Sequence, residues 1–161
     1  MDVVIFIGIQ AVGKSTFYKE KFFKTHIRIN LDMLQSRERE WQIYKTCLET
    51  QQPVVIDNTN TTLKSRQRYI QPAKEYGFRV IGYYFQSKIN EALWRNNQRS
   101  GKERIPEEGV RAAYNRLIIP SYEEGFDQLY YVYIDNNDNF IFNAWGNEGL
   151  SLDRKSTRLN S

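Results

Sequence analysis

The residues best suited to chemistry lie in one stretch near the amino terminus. The apolar run VVIF is followed by a stretch that matches the spacing G-x-x-x-x-G-K-[ST]. The matching residues are Gly8, Gly13, Lys14 and Ser15. Glycines allow the backbone to fold tightly, so that successive N–H groups point at phosphate oxygens. A helix that begins near Lys14 adds its positive amino-terminal end to the same place. The spacing therefore predicts a cradle for a nucleoside triphosphate.

Within this cradle the residue types predict separate tasks. A lysine at this position binds the β- and γ-phosphates, and the hydroxyl that follows it is a ligand of Mg²⁺. We therefore expect Lys14 to act on the transferred phosphate and Ser15 to hold the metal ion. The whole stretch is expected to contact ATP, and the predicted contacts are Gly8, Gln10, Ala11, Val12, Gly13, Lys14, Ser15 and Thr16.

Two aspartates follow apolar runs further along the chain. Asp57 ends the run PVVID, and a carboxylate at the end of a buried strand near the cradle suits a ligand of hydrated Mg²⁺. Asp32 follows the short run HIRINL. It is either a general base that takes the proton of an acceptor hydroxyl or the N-cap of the helix that follows. Spacing alone leaves both roles of Asp32 open.

A basic group occurs in the stretch WRNNQRSGKER. Arg95 and Arg99 lie four residues apart, so they share one face of a helix, and Lys102 and Arg104 follow in a loop that contains glycine. Phosphoryl transfer develops charge on the moving group, and an arginine on a closing lid stabilises that charge. A solvated basic helix face gives the same pattern. Spacing alone therefore does not separate a lid from an ordinary surface helix.

Apolar runs alternate with amphipathic stretches along the chain. The predicted strands span residues 3–9, 26–30, 53–57, 78–85 and 128–134. One helix is predicted over 33–50, with Trp41 among its packing residues, and others over 62–77, 89–99 and 106–118. Strands that alternate with helices favour an α/β fold with a mainly parallel sheet. After residue 135 the chain is polar and rich in asparagine, with a short FIF that could add a strand.

Composition sets outer limits on the protein. A chain of 161 residues is the size of one domain, and it has no apolar run long enough to span a membrane. One cysteine excludes an internal disulfide, which fits a reducing compartment, so we expect a cytoplasmic protein. The ending DRKSTRLNS resembles a translated sequencing adapter, and we expect it to be disordered and non-native. Without its three basic residues and one acidic residue, the net charge of +4 falls to +2.

Ordered motifs along the chain resemble the kinase domain of the polynucleotide kinases, a family of small P-loop kinases similar to AAA-type ATPases. The motifs are GIQAVGKST, INLD, VVIDNTN, SRQRYI, RNNQR and RIPEEGVRAAYNRLIIPSYEEGFDQLYYV. The resemblance implies a P-loop NTPase fold of the kinase type, with three α/β/α layers, a five-stranded mainly parallel sheet and a helical lid. It places a kinase domain at 1–135. The polar stretch at 136–152 is expected to be an extension cut short by the non-native tail at 153–161.

The same resemblance implies ATP and Mg²⁺ as cofactors and a hydroxyl acceptor, typically the 5′-OH of DNA or RNA. Asp32 falls on the aspartate that activates the acceptor, and Arg95 and Arg99 fall on lid arginines that bind ATP. Arg99 is expected to contact the transition state, so Asp32, Lys14 and Arg99 are the predicted catalytic residues. The expected acceptor contacts are Asp32, Gln35, Thr59, Arg66 and Arg68.

Two departures from the family pattern concern the acceptor. Leu31 replaces the arginine of the common NRD motif, and Gln35 stands where phage-type members have an arginine for the acceptor phosphate. Arg37 or Arg39 could substitute for it. Both departures concern the identity of the acceptor. The resemblance still makes nucleic-acid 5′ ends the expected partner, and two alternatives stay open. One is a kinase of a small metabolite or nucleotide sugar, and the other is a non-catalytic ATP-binding fragment. No feature of the sequence indicates an oligomeric state.

Overall fold

A computed structural model of the protein describes residues 1–145, whose strands form one sheet. The strands are β1 (Asp2–Ile7), β2 (Ile27–Ile29), β3 (Val54–Ile56), β4 (Arg79–Phe85), β5 (Gln128–Ile134) and β6 (Phe140–Ala144). The helices are α1 (Lys14–Lys21), α2 (Leu31–Leu34), α3 (Arg37–Glu49), α4 (Leu63–Glu75), α5 (Ile89–Asn97) and α6 (Glu107–Arg116). Two 3-10 turns lie at Gly101–Glu103 and Tyr122–Glu124.

The strands lie in the order β2-β3-β1-β4-β5-β6, and all neighbours are parallel except β5 and β6. The predicted α/β fold with a mainly parallel sheet is confirmed. Within residues 1–145 the sheet has six strands rather than five, because the FIF stretch pairs with β5. Asp135 makes this hairpin possible, since its carboxylate accepts hydrogen bonds from the backbone N–H groups of Asn137 and Asn139, both at 2.9 Å.

Strand β1 lies at the centre of the sheet and is covered on both faces, which explains its nearly unbroken apolar sequence. On one face Phe6 packs against Phe17 of α1, with ring centroids 5.8 Å apart. Gly82 pairs with the residue before Phe6 and so belongs to the other face. A Cβ atom at Gly82 would lie 2.6 Å from Leu129 and 2.8 Å from Phe126. Tight packing there requires glycine.

The strand order brings the candidate chemistry together. Strands β1, β3 and β2 are consecutive neighbours and run parallel, so their carboxyl ends share one edge of the sheet. The cradle follows β1, Asp57 follows β3, and Asp32 lies just after β2. In open parallel sheets this edge, at the point where the strand order reverses, is where ligands bind.

The helix predicted over 33–50 is two helices, α2 and α3. Gln35 ends α2 with a left-handed backbone (φ 64°), and Ser36 caps α3 by accepting a hydrogen bond from the N–H of Arg39 at 3.1 Å. Asn30 caps α2 in the same way, accepting from Met33 at 2.9 Å. Asp32 therefore caps neither helix, and the capping role left open for it is excluded.

Within residues 1–145 no helix is long and apolar enough to cross a membrane. The predicted tail at 153–161 and the end of the polar extension lie outside the described residues.

Candidate active site

A cleft of about 980 Å³ opens where the carboxyl ends of β1, β2 and β3 meet. Three acidic residues line it, Asp32, Asp57 and Glu103, together with a larger basic set. The basic residues are Lys14, Lys19, Arg28, Arg37, Lys64, Arg68, Arg99, Lys102 and Arg116. A cleft with this excess of positive charge attracts anionic ligands.

The cradle has the backbone geometry that phosphate binding requires. Gly13, directly before α1, has φ 96°, and Ala11 has φ 63°, so the loop turns tightly into the helix. The ammonium of Lys14 donates hydrogen bonds to the carbonyl oxygens of Gly8 at 2.9 Å and Ile9 at 2.6 Å. The ammonium thus lies within the loop, where phosphate oxygens can replace the carbonyls as acceptors.

Gln10 places a polar side-chain atom in the cradle that is suited to binding a ligand. Its side-chain oxygen is buried and has no hydrogen-bond partner among the described residues. Such a group is costly unless a ligand or water satisfies it. Thr16 lines the cleft with Gln10 and Ala11, whereas Gly8, Val12 and Gly13 shape the loop behind it. The predicted ATP-binding stretch is therefore one continuous segment, made of the loop after β1 and the first turn of α1.

The pKa of Lys14 reflects its burial and the charges of Asp57, Arg99 and Asp32. The pKa of Lys14 is lowered to about 8, chiefly by burial and in part by the nearby charge of Arg99. The carboxylates of Asp57 and Asp32 oppose this effect. Three charged residues from separate segments therefore lie near enough to Lys14 to influence its ammonium.

The lowered pKa of Lys14 predicts a pH dependence of ATP binding. Above about pH 8 the free protein loses the ammonium proton, and bound phosphates favour its return, so binding takes up a proton. The ATP dissociation constant should rise by about tenfold per pH unit above this point. Calorimetry between about pH 7 and pH 9.5 measures it, and Lys14→Arg should give a flat profile. A flat wild-type profile would contradict this role of Lys14.

The side chains of Ser15 and Asp57 place two hard oxygen atoms side by side. The Ser15 hydroxyl donates to Asp57 Oδ2 at 3.0 Å, and only 2% of the Asp57 surface is exposed. Among the described residues no group of three or more His, Cys, Asp or Glu could hold a metal by itself. Mg²⁺ fits this site, because it binds one or two protein oxygens and completes its shell with phosphates and water.

The end of β3 fixes the position of Asp32. Asn58 accepts a hydrogen bond from the N–H of Leu31 at 2.8 Å, and Asn30 donates to the carbonyl of Asp57 at 2.6 Å. These contacts tie α2 to the residues after β3. The exposed carboxylate of Asp32 consequently lines the same cleft as Lys14 and Asp57 and has no hydrogen bond to a described residue.

The predicted lid begins in α5. The buried Asn96 donates to the carbonyl of Ile105 at 2.6 Å and accepts from its N–H at 2.9 Å, which closes the loop between them. Arg99 and Lys102 of this loop line the cleft. Arg95, one turn earlier in α5, is half-buried and does not line it. The structure therefore brings together Arg99 and the cradle but not Arg95.

The predicted acceptor residues divide into two groups. Thr59 and Arg68 line the cleft, and the carbonyl of Thr59 also accepts from the N–H of Gly8 at 3.0 Å. Gln35 ends α2 and does not line the cleft, so it is not placed to contact an acceptor there.

Arg66 is also outside the cleft, and its predicted role at the acceptor is wrong. The residue is fully buried. Its guanidinium donates to both carboxylate oxygens of Glu124, at 2.7 and 3.1 Å, and to the carbonyls of Asn60 and Ile118. A buried arginine with all these bonds holds α4 to the Tyr122–Glu124 turn.

Several basic residues that line the cleft were not predicted from the sequence. Lys64 lies four residues before Arg68 in α4, a spacing that could have revealed a shared basic face. Arg28, in the short strand β2, donates through Nε to Asp57 Oδ2 at 2.8 Å and through Nη2 to the Ser15 hydroxyl at 3.0 Å. Arg116 comes from α6, and no local signal connects it with the cradle.

A second pocket of about 310 Å³ adjoins the cleft. It is lined by Arg37, Glu40, Trp41, Tyr44, Arg68 and Tyr69. Arg37 and Arg68 line both spaces. Trp41, predicted to pack inside the protein, is 39% exposed. The pocket therefore offers an aromatic wall beside two arginines.

A buried network supports this pocket. Glu40 accepts hydrogen bonds from the Tyr69 hydroxyl at 2.7 Å, the Asn58 amide at 3.0 Å and Arg37 at 3.1 Å. Because Asn58 also holds the backbone of Leu31, one set of polar contacts links the pocket to the helix that carries Asp32.

Comparisons with known proteins agree with this geometry. A family described as an AAA domain matches residues 33–118, more than half of the chain. The bifunctional polynucleotide phosphatase/kinase of Schizosaccharomyces pombe is 29% identical over 134 residues, which cover 80% of this chain and 32% of that protein. The L-seryl-tRNA(Sec) kinase of Methanococcus maripaludis is 25% identical over 169 residues, which cover 93% of this chain and 65% of that protein.

The chain thus spans about a third of the first relative and just under two thirds of the second. Kti12 of Chaetomium thermophilum, solved with ADP-AlF3, shares the fold with a TM-score of 0.63 at 12% identity, and the match covers 96% of each chain. The resemblance inferred from the ordered motifs is confirmed. The chain belongs to the AAA-domain family and has the P-loop kinase fold.

Proposed function

We propose that the protein is an ATP-dependent kinase that phosphorylates the 5′-hydroxyl of DNA or RNA ends. One observation carries this proposal: a single cleft combines the phosphate cradle of Lys14 and Ser15 with the carboxylate of Asp32 and the guanidinium of Arg99. A phosphate donor site, a proton acceptor and a cation for the transferred group are the parts that phosphoryl transfer needs.

In the proposed reaction Asp32 accepts the proton of the acceptor hydroxyl while the hydroxyl oxygen bonds to the γ-phosphorus. The bond to the bridging oxygen breaks, and ADP leaves. Lys14 and Arg99 stabilise the negative charge on the transferred group and the leaving oxygen. Ser15 and Asp57 would hold Mg²⁺, which when bound neutralises phosphate charge.

The surroundings of the cradle favour a nucleic-acid acceptor. Lys64, Arg68 and Arg116 line the cleft beyond the loop that would bind ATP, which suits a chain of acceptor phosphates. Trp41 offers a ring on which a base can stack, beside Arg37 and Arg68. Cations together with an accessible aromatic ring are the features that proteins use to bind single strands.

Trp41→Ala tests this acceptor surface. Loss of one base–aromatic stack costs about 1–3 kcal/mol, so the KM for a 5′-OH oligonucleotide should rise by about 5- to 150-fold. The KM for ATP should stay unchanged, because the pocket lies apart from the cradle. Arg39→Gln is the control, since Arg39 donates to the carbonyl of Leu34 and does not line the cleft. An unchanged oligonucleotide KM in Trp41→Ala would contradict base stacking there.

A small-molecule acceptor is the second candidate, and Leu31 is the observation that favours it. Leu31 lines the cleft next to Asp32 where the family pattern has an arginine, which removes a cation from the acceptor side. A panel of 5′-OH DNA, 5′-OH RNA, tRNA and neutral metabolites, assayed at about 50 and 200 mM salt, separates the candidates. A polynucleotide acceptor should lose affinity steeply with salt. Salt-independent transfer to a neutral metabolite, without transfer to any nucleic acid, would overturn the first proposal.

A further inference from the structure

Arg28 lies where a metal ion would bind between Ser15 and Asp57. Its Nε is 2.8 Å from Asp57 Oδ2, and its Nη2 is 3.0 Å from the Ser15 oxygen. These two oxygens are themselves 3.0 Å apart. One guanidinium therefore engages both side chains to which the metal is assigned.

Asp57 needs a cation in this environment. Its side chain is almost fully buried, and a buried carboxylate is stable only when it is paired and hydrogen-bonded. Within residues 1–145, the salt bridge to Asp57 comes from Arg28. The nearby ammonium of Lys14 instead donates to the carbonyls of Gly8 and Ile9.

The contact of Arg28 with Asp57 excludes a metal at the same oxygens. Mg²⁺ binds its ligands at about 2.1 Å, which leaves no room for a guanidinium between Asp57 and Ser15. Two cations at one carboxylate also repel each other. The side chain of Arg28 is 27% exposed, so it has a path out of the site. Its backbone stays fixed, because Arg28 pairs with Val55 in the sheet.

We infer that Arg28 is an internal counter-ion of the metal site. It neutralises Asp57 and positions Ser15 while the site is free of metal, and it must leave when a metal enters. A bare metal ion has to compete with the guanidinium. A metal ion that arrives with ATP brings phosphate oxygens to which Arg28 and Lys14 can bind in exchange. Arg28 thereby couples metal binding to nucleotide binding.

This inference rests on the metal role that the proposed function gives to Ser15 and Asp57, but not on the acceptor. Its main consequence is that the release of Arg28 and the binding of metal are thermodynamically linked. If the metal must displace Arg28, removal of the guanidinium tightens the binding of metal alone, whereas a merely structural arginine would leave it unchanged or weaken it.

The test is a titration of the whole chain with Mn²⁺, without nucleotide or acceptor, in which electron paramagnetic resonance measures the free ion. Arg28→Gln should bind Mn²⁺ about tenfold or more tightly than the wild type, and Arg28→Lys should lie between them. Arg79→Gln makes the same charge change on an exposed residue at the opposite end of the sheet and should match the wild type. Equal or weaker binding by Arg28→Gln would overturn the inference.

Two further measurements fix the location of the ion and the state of the fold. The double variant Arg28→Gln/Asp57→Asn should lose the gained affinity, and retention of that affinity would place the ion elsewhere and overturn the inference.

In EDTA, Arg28→Gln should melt below the wild type, and Mn²⁺ should raise its Tm more than that of the wild type. If Arg28→Gln does not fold, Arg28→Lys decides, since it too must bind Mn²⁺ more tightly than the wild type. An inactive kinase would leave these results unaffected, because no phosphate is transferred in them.

Discussion

Asp32→Asn is expected to lower kcat by about 10²- to 10⁴-fold, because the amide keeps the shape of the carboxylate but cannot accept a proton. At about pH 7, where Lys14 keeps its proton, ATP affinity should stay close to that of the wild type, since the cradle is built from a different segment. The structure removes the competing explanation for an aspartate at this position: Asn30 and Ser36 cap the two helices, and the Asp32 carboxylate lines the cleft.

Single-turnover transfer from labelled ATP measures this loss, with calorimetry for ATP binding. Glu38→Gln is the matched control, because it neutralises an exposed carboxylate of the next helix that does not line the cleft. Wild-type transfer rates in Asp32→Asn would exclude Asp32 as the base. If the wild type binds ATP but transfers nothing to any acceptor, the alternative of a non-catalytic ATP-binding fragment is correct.

Lys14→Ala is expected to lower kcat/KM by about 10²- to 10³-fold, the cost of removing one preorganised cation from developing charge. ATP binding should weaken as well, because the ammonium lies inside the loop that would enclose the phosphates. Lys21→Ala, in the same helix but outside the cleft, should behave as the wild type. Normal transfer by Lys14→Ala would show that the cradle is not the donor site.

Much of the proposed ATP site could be predicted from the sequence, because the residues that indicate it are close together in the chain. The cradle residues are contiguous, and Asp57 directly follows an apolar run that could be recognised as a buried strand. Parallel strand order then places their ends together, since β1 and β3 are neighbours. Residues identified by short spacing at strand ends were therefore brought into one cleft.

Residues whose role depends on distant partners could not be predicted in this way. Arg66 lies after the DNTN turn, where a residue that contacts the acceptor was expected. Its guanidinium instead donates to Glu124, which is 58 positions away in the chain. Gln35 adopts a left-handed backbone and breaks a stretch whose apolar spacing predicts one helix. The exposure of Trp41 depends on how α3 sits against α4, which periodicity does not determine.

The position of Arg28 in the site also depends on residues that are distant in the sequence. Nothing in the sequence HIRIN distinguishes this arginine from a surface residue. Its contact with Asp57 arises because β2 pairs with β3 rather than with β1. The order of the strands in the sheet therefore determines that Arg28 is the cation beside Asp57 and Ser15, the proposed metal ligands.

The most direct test of the central claim is the transfer of labelled γ-phosphate from ATP to an oligonucleotide with a free 5′-hydroxyl, beside the same oligonucleotide already phosphorylated at that end. We expect Mg²⁺-dependent label on the 5′ end of the first oligonucleotide, none on the second, and strong loss of label in Asp32→Asn. No label on any 5′-hydroxyl DNA or RNA end would contradict it.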